Sequence, residues 1–556
     1  MGVFEKTLFF LFGTICIITF GFILQKVSDR FSVEVPTSGG SITEGVIGYP
    51  RYINPVLSVT DAGKDIGKLV YSGLLKAKAD GTLQPDLAKD WSVSDDGLTY
   101  TVNIKDDAVF QDGYPVTADD IEYTIKKAID PVIKSPVAAN WDGVQVTVVN
   151  AKQIQFILKK PYTPFIQNLT LGILPQHVWQ NVDAEAFPFS QFNSNPIGSG
   201  PYKIKEIKTD KGGLPLYYKL VPFEKYSLGK PLLSAIYIRF YENENKLVDA
   251  YVKGEIDSLG SISPNSASLL ASKGARIIQE PLPRIFALFF NQNQNKIFTD
   301  INVRKALNTA VNRNEIIQSV LGGYGTPVEG PLPYFVSPTQ SDLSGNETSD
   351  QRIEAAKAIL EKAGWKKNSD GIYQLTVKKV TMTLAFSIST SDVPELKAVS
   401  QKLQETWQKL GAKVDVQVFD STDLEQNVIR PRKYDSLLFG EVVNRGEDLY
   451  AFWHSSERND PGLNVAMYTN IDVDKLLNQA RTTTSVNDLA AIYQKLGTEI
   501  SADIPAVFIY SPDFIYVISN NLKGINTQGI NSPSERFLSA SNWYTDTEKI
   551  WKIFVK

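Results

Sequence analysis

The chain has 556 residues, of which 43% are apolar, 11% aromatic and 21% charged. That excludes a disordered tail, a collagen-like rod and a small disulfide scaffold, and the length predicts three or four domains at roughly 150 residues each. With 57 Lys plus Arg against 61 Asp plus Glu the net charge is −4, which argues against nucleic acid as a partner, because phosphate binding needs a basic surface.

The first predicted element is a membrane segment. Residues 7–25, TLFFLFGTICIITFGFILQ, carry no charge. At 1.5 Å per residue they reach roughly 28 Å, close to the ~30 Å hydrocarbon core of a bilayer. No A-x-A-like cleavage site follows, and Ile15 stands where a lipoprotein signal places a small residue before its cysteine. Residues 7–25 therefore read as an uncleaved transmembrane anchor, with a cleaved signal as the alternative. Residues 26–40, with Pro36, Ser38, Gly39 and Gly40, read as a linker.

Strand and helix signals alternate from there on, which indicates α/β or α+β. Strands are predicted at 41–48 and at 98–105, where apolar and polar residues alternate after the turn Asp95-Asp96-Gly97. Thr117, followed by Asp119 and Asp120, starts a helix over 117–128. A hairpin pairs 144–149 with 153–158. Strands follow at 216–221 and 235–241, a helix at 243–253, and a very apolar strand at 285–291. A helix over 302–321 would carry Arg304, Lys305 and Arg313 on its polar side, before a loop of turn residues at 322–333. Helices are predicted at 350–363, 395–410, 472–481 and 486–502, and strands at 377–387, 413–419 and 506–517.

Chemistry-bearing motifs are sparse. The single cysteine, Cys16, forms no internal disulfide, and with only His177 and His454 the common structural zinc sites cannot be assembled. There is no phosphate-binding GxxxxGK[ST], no HExxH and no GxSxG. These absences point toward binding rather than turnover. A glycosidase-like carboxylate pair remains open, because any two of 61 acids can converge in space.

Five stretches, in order, carry a family resemblance. They are 71–128 (YSGLLKAKADGTLQPDLAKDWSVSDDGLTYTVNIKDDAVFQDGYPVTADDIEYTIKKA), 196–202 (PIGSGPY), 289–310 (FFNQNQNKIFTDINVRKALNTA), 355–365 (AAKAILEKAGW) and 503–525, which begins DIPAVFIYS. Their residues also make sense without the family. Asp112-Gly113 is turn chemistry, Thr117 a cap, Gly198 and Gly200 sites of backbone conformations closed to other residues, and Asp300 and Arg304 a cap and a polar face one helical turn apart. Together the stretches resemble the family 5 extracellular solute-binding proteins, the oligopeptide- and dipeptide-binding components of ABC transporters.

The resemblance implies an α/β, two-lobed periplasmic-binding-protein-like (class II) fold with an added subdomain, preceded here by one N-terminal transmembrane helix. Lobe I would take 41–60, 197–284 and 512–556, with a subdomain inserted at 61–196; lobe II would take 285–511, with crossings near Pro283 and Pro512. The implied function is capture of an oligopeptide or other peptide-like solute by lobe closure and delivery to an ABC transporter permease. The protein would be a monomer on the cell membrane with its large part extracytoplasmic. It would not be an enzyme, and would need no cofactor, no metal and no nucleic acid. Readings from other classes are a membrane-anchored hydrolase of cell-wall polymer using paired carboxylates and a surface peptide receptor without a permease.

In peptide binders of this family an Asp of the second lobe pairs with the peptide α-ammonium, where a desolvated cation needs a charged acceptor. The matching segment here is 434–453, YDSLLFGEVVNRGEDLYAFW. A gapless match puts Asn444 at that Asp, Glu441 where a Trp is common and Asp448 where a Pro is common. Asn444 accepts a hydrogen bond but carries no charge, so Glu441, Glu447, Asp448 or Asp61 of the facing lobe are the candidate substitutes. Glu447 and Asp448 are equally candidates for capping a helix that starts near Leu449. Arg445 is a candidate for a ligand carboxylate, Phe286 for an apolar contact, and Gly260, Ser261 and Ile262 for backbone groups offered to an extended ligand.

Overall fold

A computed structural model describes residues 2–554 apart from 79–80, 333–346 and 444–447. Its organising element is the strand Ala506–Ile518, 13 residues long and buried except at Pro512 and Asp513. A nearly continuous apolar run is what a strand covered on both faces requires. Pro512 has no N–H to donate, and the ladder changes partner there. The N-terminal half pairs antiparallel with Arg284–Phe290 and the C-terminal half with Arg276–Pro281. Between those two strands lie Leu282 and Pro283. The Leu282 N–H donates to the Pro512 carbonyl at 3.0 Å, and the Ser511 hydroxyl to the Leu282 carbonyl at 2.5 Å. These neighbouring crossings join two α/β lobes whose strands, among the described residues, form one sheet of 12.

On one side of the crossings Gly39–Ile47 runs parallel to Leu233–Tyr241 and to Ser258–Gly260, and Pro215–Pro222 and Tyr202–Thr209 extend the edge. The core of this lobe draws on chain positions from Ile42 to Trp543. A separate sheet in the order Ala88–Val93, Thr99–Ile104, Gln153–Ile157, Gln145–Asn150 packs into the same core. On the other side Lys413–Phe419, Ala385–Ser391, Ser436–Val442 and Arg284–Phe290 carry the sheet, and helices cover it. Helix Pro394–Leu410 shows how: Leu396, Val399, Leu403, Trp407 and Leu410 recur at helical spacing, and all are buried. Each such side chain contributes about 1.5–3 kcal/mol on burial. Gly411, at φ 111°, ends the helix in the left-handed region that a side chain resists.

Most predicted elements are present within a few residues of their expected bounds, and the exceptions have local causes. The helix expected over 302–321 is two, Ile301–Ala310 and Arg313–Leu321, because the Asn312 side chain accepts from the Glu315 N–H and restarts the chain. Arg304 and Arg313 do not face solvent: both are buried. Arg304 donates to the carbonyls of Phe298, Asp503 and Ile504, and Arg313 to those of Val328 and Phe508. A guanidinium can lie in an interior when its forked donors meet carbonyls. The strand expected over 377–387 is a hairpin followed by a strand. Lys378 and Lys379 both have positive φ, 50° and 70°, the geometry of a two-residue turn that usually uses Asn or Gly.

Gly200 serves a close approach rather than an unusual backbone conformation. A Cβ on it would lie 2.6 Å from the Val70 carbonyl carbon and 2.7 Å from the Leu69 carbonyl oxygen, and Gly198 sits against the same Val70 carbonyl. The segment expected as a linker is ordered. Helix Val3–Phe31 leads directly into Ser32–Pro36, which pairs antiparallel with Thr547–Trp551. Among the described residues no helix is long and apolar enough to cross a membrane. The side chains of residues 7–10 and 24, within the expected span, lie outside the described ones, while those of 11–23 are all exposed.

Candidate binding cleft

The C-terminal end of strand Gly39–Ile47, the start of helix Asp61–Val70, the turn after Ser258–Gly260 and the C-terminal segment around Pro533 and Arg536 enclose a cavity of about 400 Å³. The helix start is fixed by Thr60, whose hydroxyl accepts from the Gly63 N–H at 3.2 Å. Asp61, its first residue, lines the cavity and is exposed. Gly260 and Ser261 line the same wall. Ser261 has φ 59° and donates its N–H to the Ile515 carbonyl at 3.2 Å, so that backbone donor is already used. Ile262 is buried in the apolar cluster with Leu259, Ala267 and Ile515, a core residue rather than a cavity one.

Beneath this wall lies a charged network that the sequence alone does not reveal. Arg536 donates from Nε to Glu44 at 3.0 Å and from its two terminal nitrogens to both Asp65 oxygens at 3.0 and 2.7 Å. The Tyr516 hydroxyl donates to Glu44 at 2.9 Å, as does that of Ser258. All three charged residues are buried. Burial raises the Asp65 carboxyl to about 6, against the pull of Arg536, so it is ionised at neutral pH. Two carboxyl groups share one guanidinium in this floor, and Asp61 stands at the rim.

The other lobe contributes a carboxyl of a different kind. Glu441 sits next to last in strand Ser436–Val442, opposite Ile285 of Arg284–Phe290. It is only 4% exposed, and its Oε2 has no hydrogen-bond partner. Burial alone holds it well above the ordinary carboxyl range. Its neighbour Gly440 gives room to the Phe286 ring, which stacks on Tyr510 at 5.0 Å; Phe286 is thus engaged in packing. Neither Glu441 nor Phe286 lines the cavity of the facing lobe. Asn444, Arg445 and Glu447 lie outside the described residues.

Asp448 touches the inserted sheet's side of the molecule. Its Oδ2 accepts from the Tyr162 hydroxyl at 3.1 Å and pairs with Arg481 Nε at 3.2 Å, and its Oδ1 accepts from the Tyr450 N–H, while the N-cap position of the short helix Tyr450–Trp453 is Leu449. Arg481 lies over the rings of Tyr450 and Tyr162, 4.3 and 5.2 Å from their centroids. The Thr163 hydroxyl donates to the Thr483 carbonyl at 2.9 Å. Tyr162, Thr163 and Arg481 were not foreseen, and no local pattern marks them; only folding brings 162 to 481. Among the described residues no group of three or more His, Cys, Asp or Glu is placed to hold a metal ion.

Among the described residues the arrangement brings carboxyl groups to both lobes. The known proteins that the chain resembles are binding proteins. The family model described as bacterial extracellular solute-binding proteins, family 5 middle, matches residues 82–461. The oligopeptide-binding protein AppA of Bacillus subtilis is 29% identical over 506 residues, covering 89% of this chain and 91% of that protein. Its structure in complex with a nonapeptide superposes with a TM-score of 0.66 at 27% identity, covering 92% of this chain and 100% of that one. The ABC transporter substrate-binding protein CtaP of Listeria monocytogenes superposes with a TM-score of 0.75 at 28% identity, with 92% and 100% coverage.

Proposed function

The chain belongs to the bacterial extracellular solute-binding proteins of family 5, and from that premise we propose that it captures a peptide-like solute between its lobes and passes it, unreacted, to an ABC transporter permease. The family binds rather than transforms, and its body works outside the cytoplasm. The observation that carries the reading is the pair of adjacent strand crossings, at Leu282 and Pro512, between two lobes that each bring unbalanced carboxyl groups to their side. Such crossings are the usual hinge of a closing binder. The lobes divide at 41–60, 197–284 and 512–556 on one side and 285–511 on the other, with 61–196 inserted in the first. The carboxyl groups of Asp61 and Glu441 are the partners of the ligand's cationic groups in this reading, with Ser261 and Gly260 at the cavity wall.

The test is to denature the purified protein and identify any released solute by mass spectrometry, then to titrate that solute while following small-angle scattering. An intact peptide-like solute and a smaller radius of gyration at saturation are expected. Conversion of the solute, or an unchanged radius, would refute capture by closure.

The contact of Asp448 and Arg481 with Tyr162 acts as a clasp between the inserted sheet and lobe II. Because the ion pair is partly exposed, with Arg481 at 37%, its contribution is about 1 kcal/mol rather than that of a buried pair. Arg481→Ala is expected to shift the closed-to-open ratio about fivefold toward open, read by energy transfer between dyes on the two lobes. An unchanged ratio would show that the clasp is passive.

The helix Val3–Phe31 is the membrane anchor in this reading. Its residues 7–25 are uncharged, and the described apolar side chains of 11–23 are all exposed, with no part of the body covering them. An all-round apolar helix is stable only in a core or in lipid.

A further inference from the structure

We propose that the two-stranded ribbon at the helix exit, with the turn that follows it, lies against the phospholipid surface and forms a second membrane contact beside the helix. The inference rests on the anchor reading above.

The ribbon's register sets its direction. Pro36 pairs with Thr547 and Ser32 with Trp551, so the second strand runs back toward the helix, and the turn Lys552–Phe554 continues that way. Residues 26–31 carry the helix roughly 9 Å past the uncharged span. A headgroup layer is about 5–8 Å deep on each side. Trp551, level with Ser32, therefore reaches the outer edge of the headgroups, and the turn points into them.

The exposed side chains suit that depth. Trp551 is 45% exposed, Phe31 52% and Ile553 77%, an apolar and aromatic set that the body leaves largely open. Tryptophan is enriched at this level of a bilayer because its ring is apolar and its N–H wants water or headgroups. Lys26, Arg30 and Lys552 cluster at the helix end of the ribbon, with Asp29 the acid among them, while farther along Glu34 faces Lys549 and Glu548 faces Val35. Cations near the surface favour anionic headgroups.

The test uses the full chain in vesicles of equal parts phosphatidylcholine and phosphatidylglycerol. In a Cys16→Ser background, single spin labels are placed by Ile18→Cys, Ile553→Cys and Phe189→Cys, the last an 84%-exposed site on the body. Collision with a water-soluble relaxant and with lipid-dissolved oxygen is then measured. The label at 553 is expected to lose collisions with the aqueous relaxant several-fold relative to 189 while keeping those with oxygen. A label at 553 as water-accessible as at 189, with the label at 18 in lipid, overturns the ribbon contact and leaves the anchor standing. A label at 18 in water overturns both. Shielding of 553 from both reagents means a protein neighbour, such as a second copy, and also overturns the lipid contact.

Discussion

Replacing Arg536 by methionine is expected to destabilise the first lobe by about 3–5 kcal/mol, the cost of leaving buried carboxylates without their cation. Glu44 and Asp65 are both buried, and Arg536 holds three of their four oxygens within 3.0 Å. For a lobe of this size such a loss lowers Tm by on the order of 10 °C. Arg536→Lys keeps the charge but loses the planar fork, since one ammonium cannot serve two carboxylates in that geometry, and it should fall between the two. The triple variant Arg536→Met, Glu44→Gln, Asp65→Asn removes the stranded charges and should recover much of the loss. Scanning calorimetry checks the series. A methionine variant melting as high as the unchanged protein would mean that water already reaches the pair.

The second large effect concerns Glu441. Its carboxyl is buried and lacks a partner at Oε2, and desolvation favours its protonated form. A solute that brings an ammonium to it favours the ionised form instead. Calorimetric titrations in buffers of different ionisation enthalpy should therefore show proton release on binding. Glu441→Gln should abolish that release and weaken an ammonium-bearing peptide by ~1.5–3 kcal/mol, on the order of 10- to 100-fold in Kd. The same group sets a pH trend in the ligand-free state. A folded pKa above the unfolded 4.5 makes its contribution complete below 4.5, and the contribution is lost as pH rises toward the folded value. The unliganded protein should lose stability over that rise, and Glu441→Gln should lose less. Equal affinity and equal pH slopes in the two proteins would take Glu441 out of the site.

What the sequence made legible was mostly local. The period of Leu396, Val399, Leu403 and Trp407, the Thr117 and Asn243 caps and the apolar run at 506–517 each announce an element from its own residues. The turn at Lys378 and Lys379 did not, because lysine there departs from the usual turn chemistry. Arg304 and Arg313 looked solvent-facing because the carbonyls that receive them, at 503 and 508 among others, are distant in the chain. The site divides the same way. Asp61, Gly260 and Ser261, far apart in the chain, line one cavity. The floor beneath them went unseen, although Glu44 inside an otherwise uncharged strand was a clue that a buried cation waits elsewhere. Nothing near Arg536 in the chain names it as that cation.

The same ion pair imposes an order on biogenesis. Glu44 and Arg536 are separated by 492 residues, so the first strand of lobe I waits for nearly the whole polypeptide before its charge is neutralised. The second lobe draws its helices and most of its strands from one uninterrupted stretch and can begin to collapse earlier. Closing so long a loop is slow, and while it is pending the early strands stay exposed to mispairing. In a chain built this way the opening strand is held unlocked until the segment around Arg536 is present.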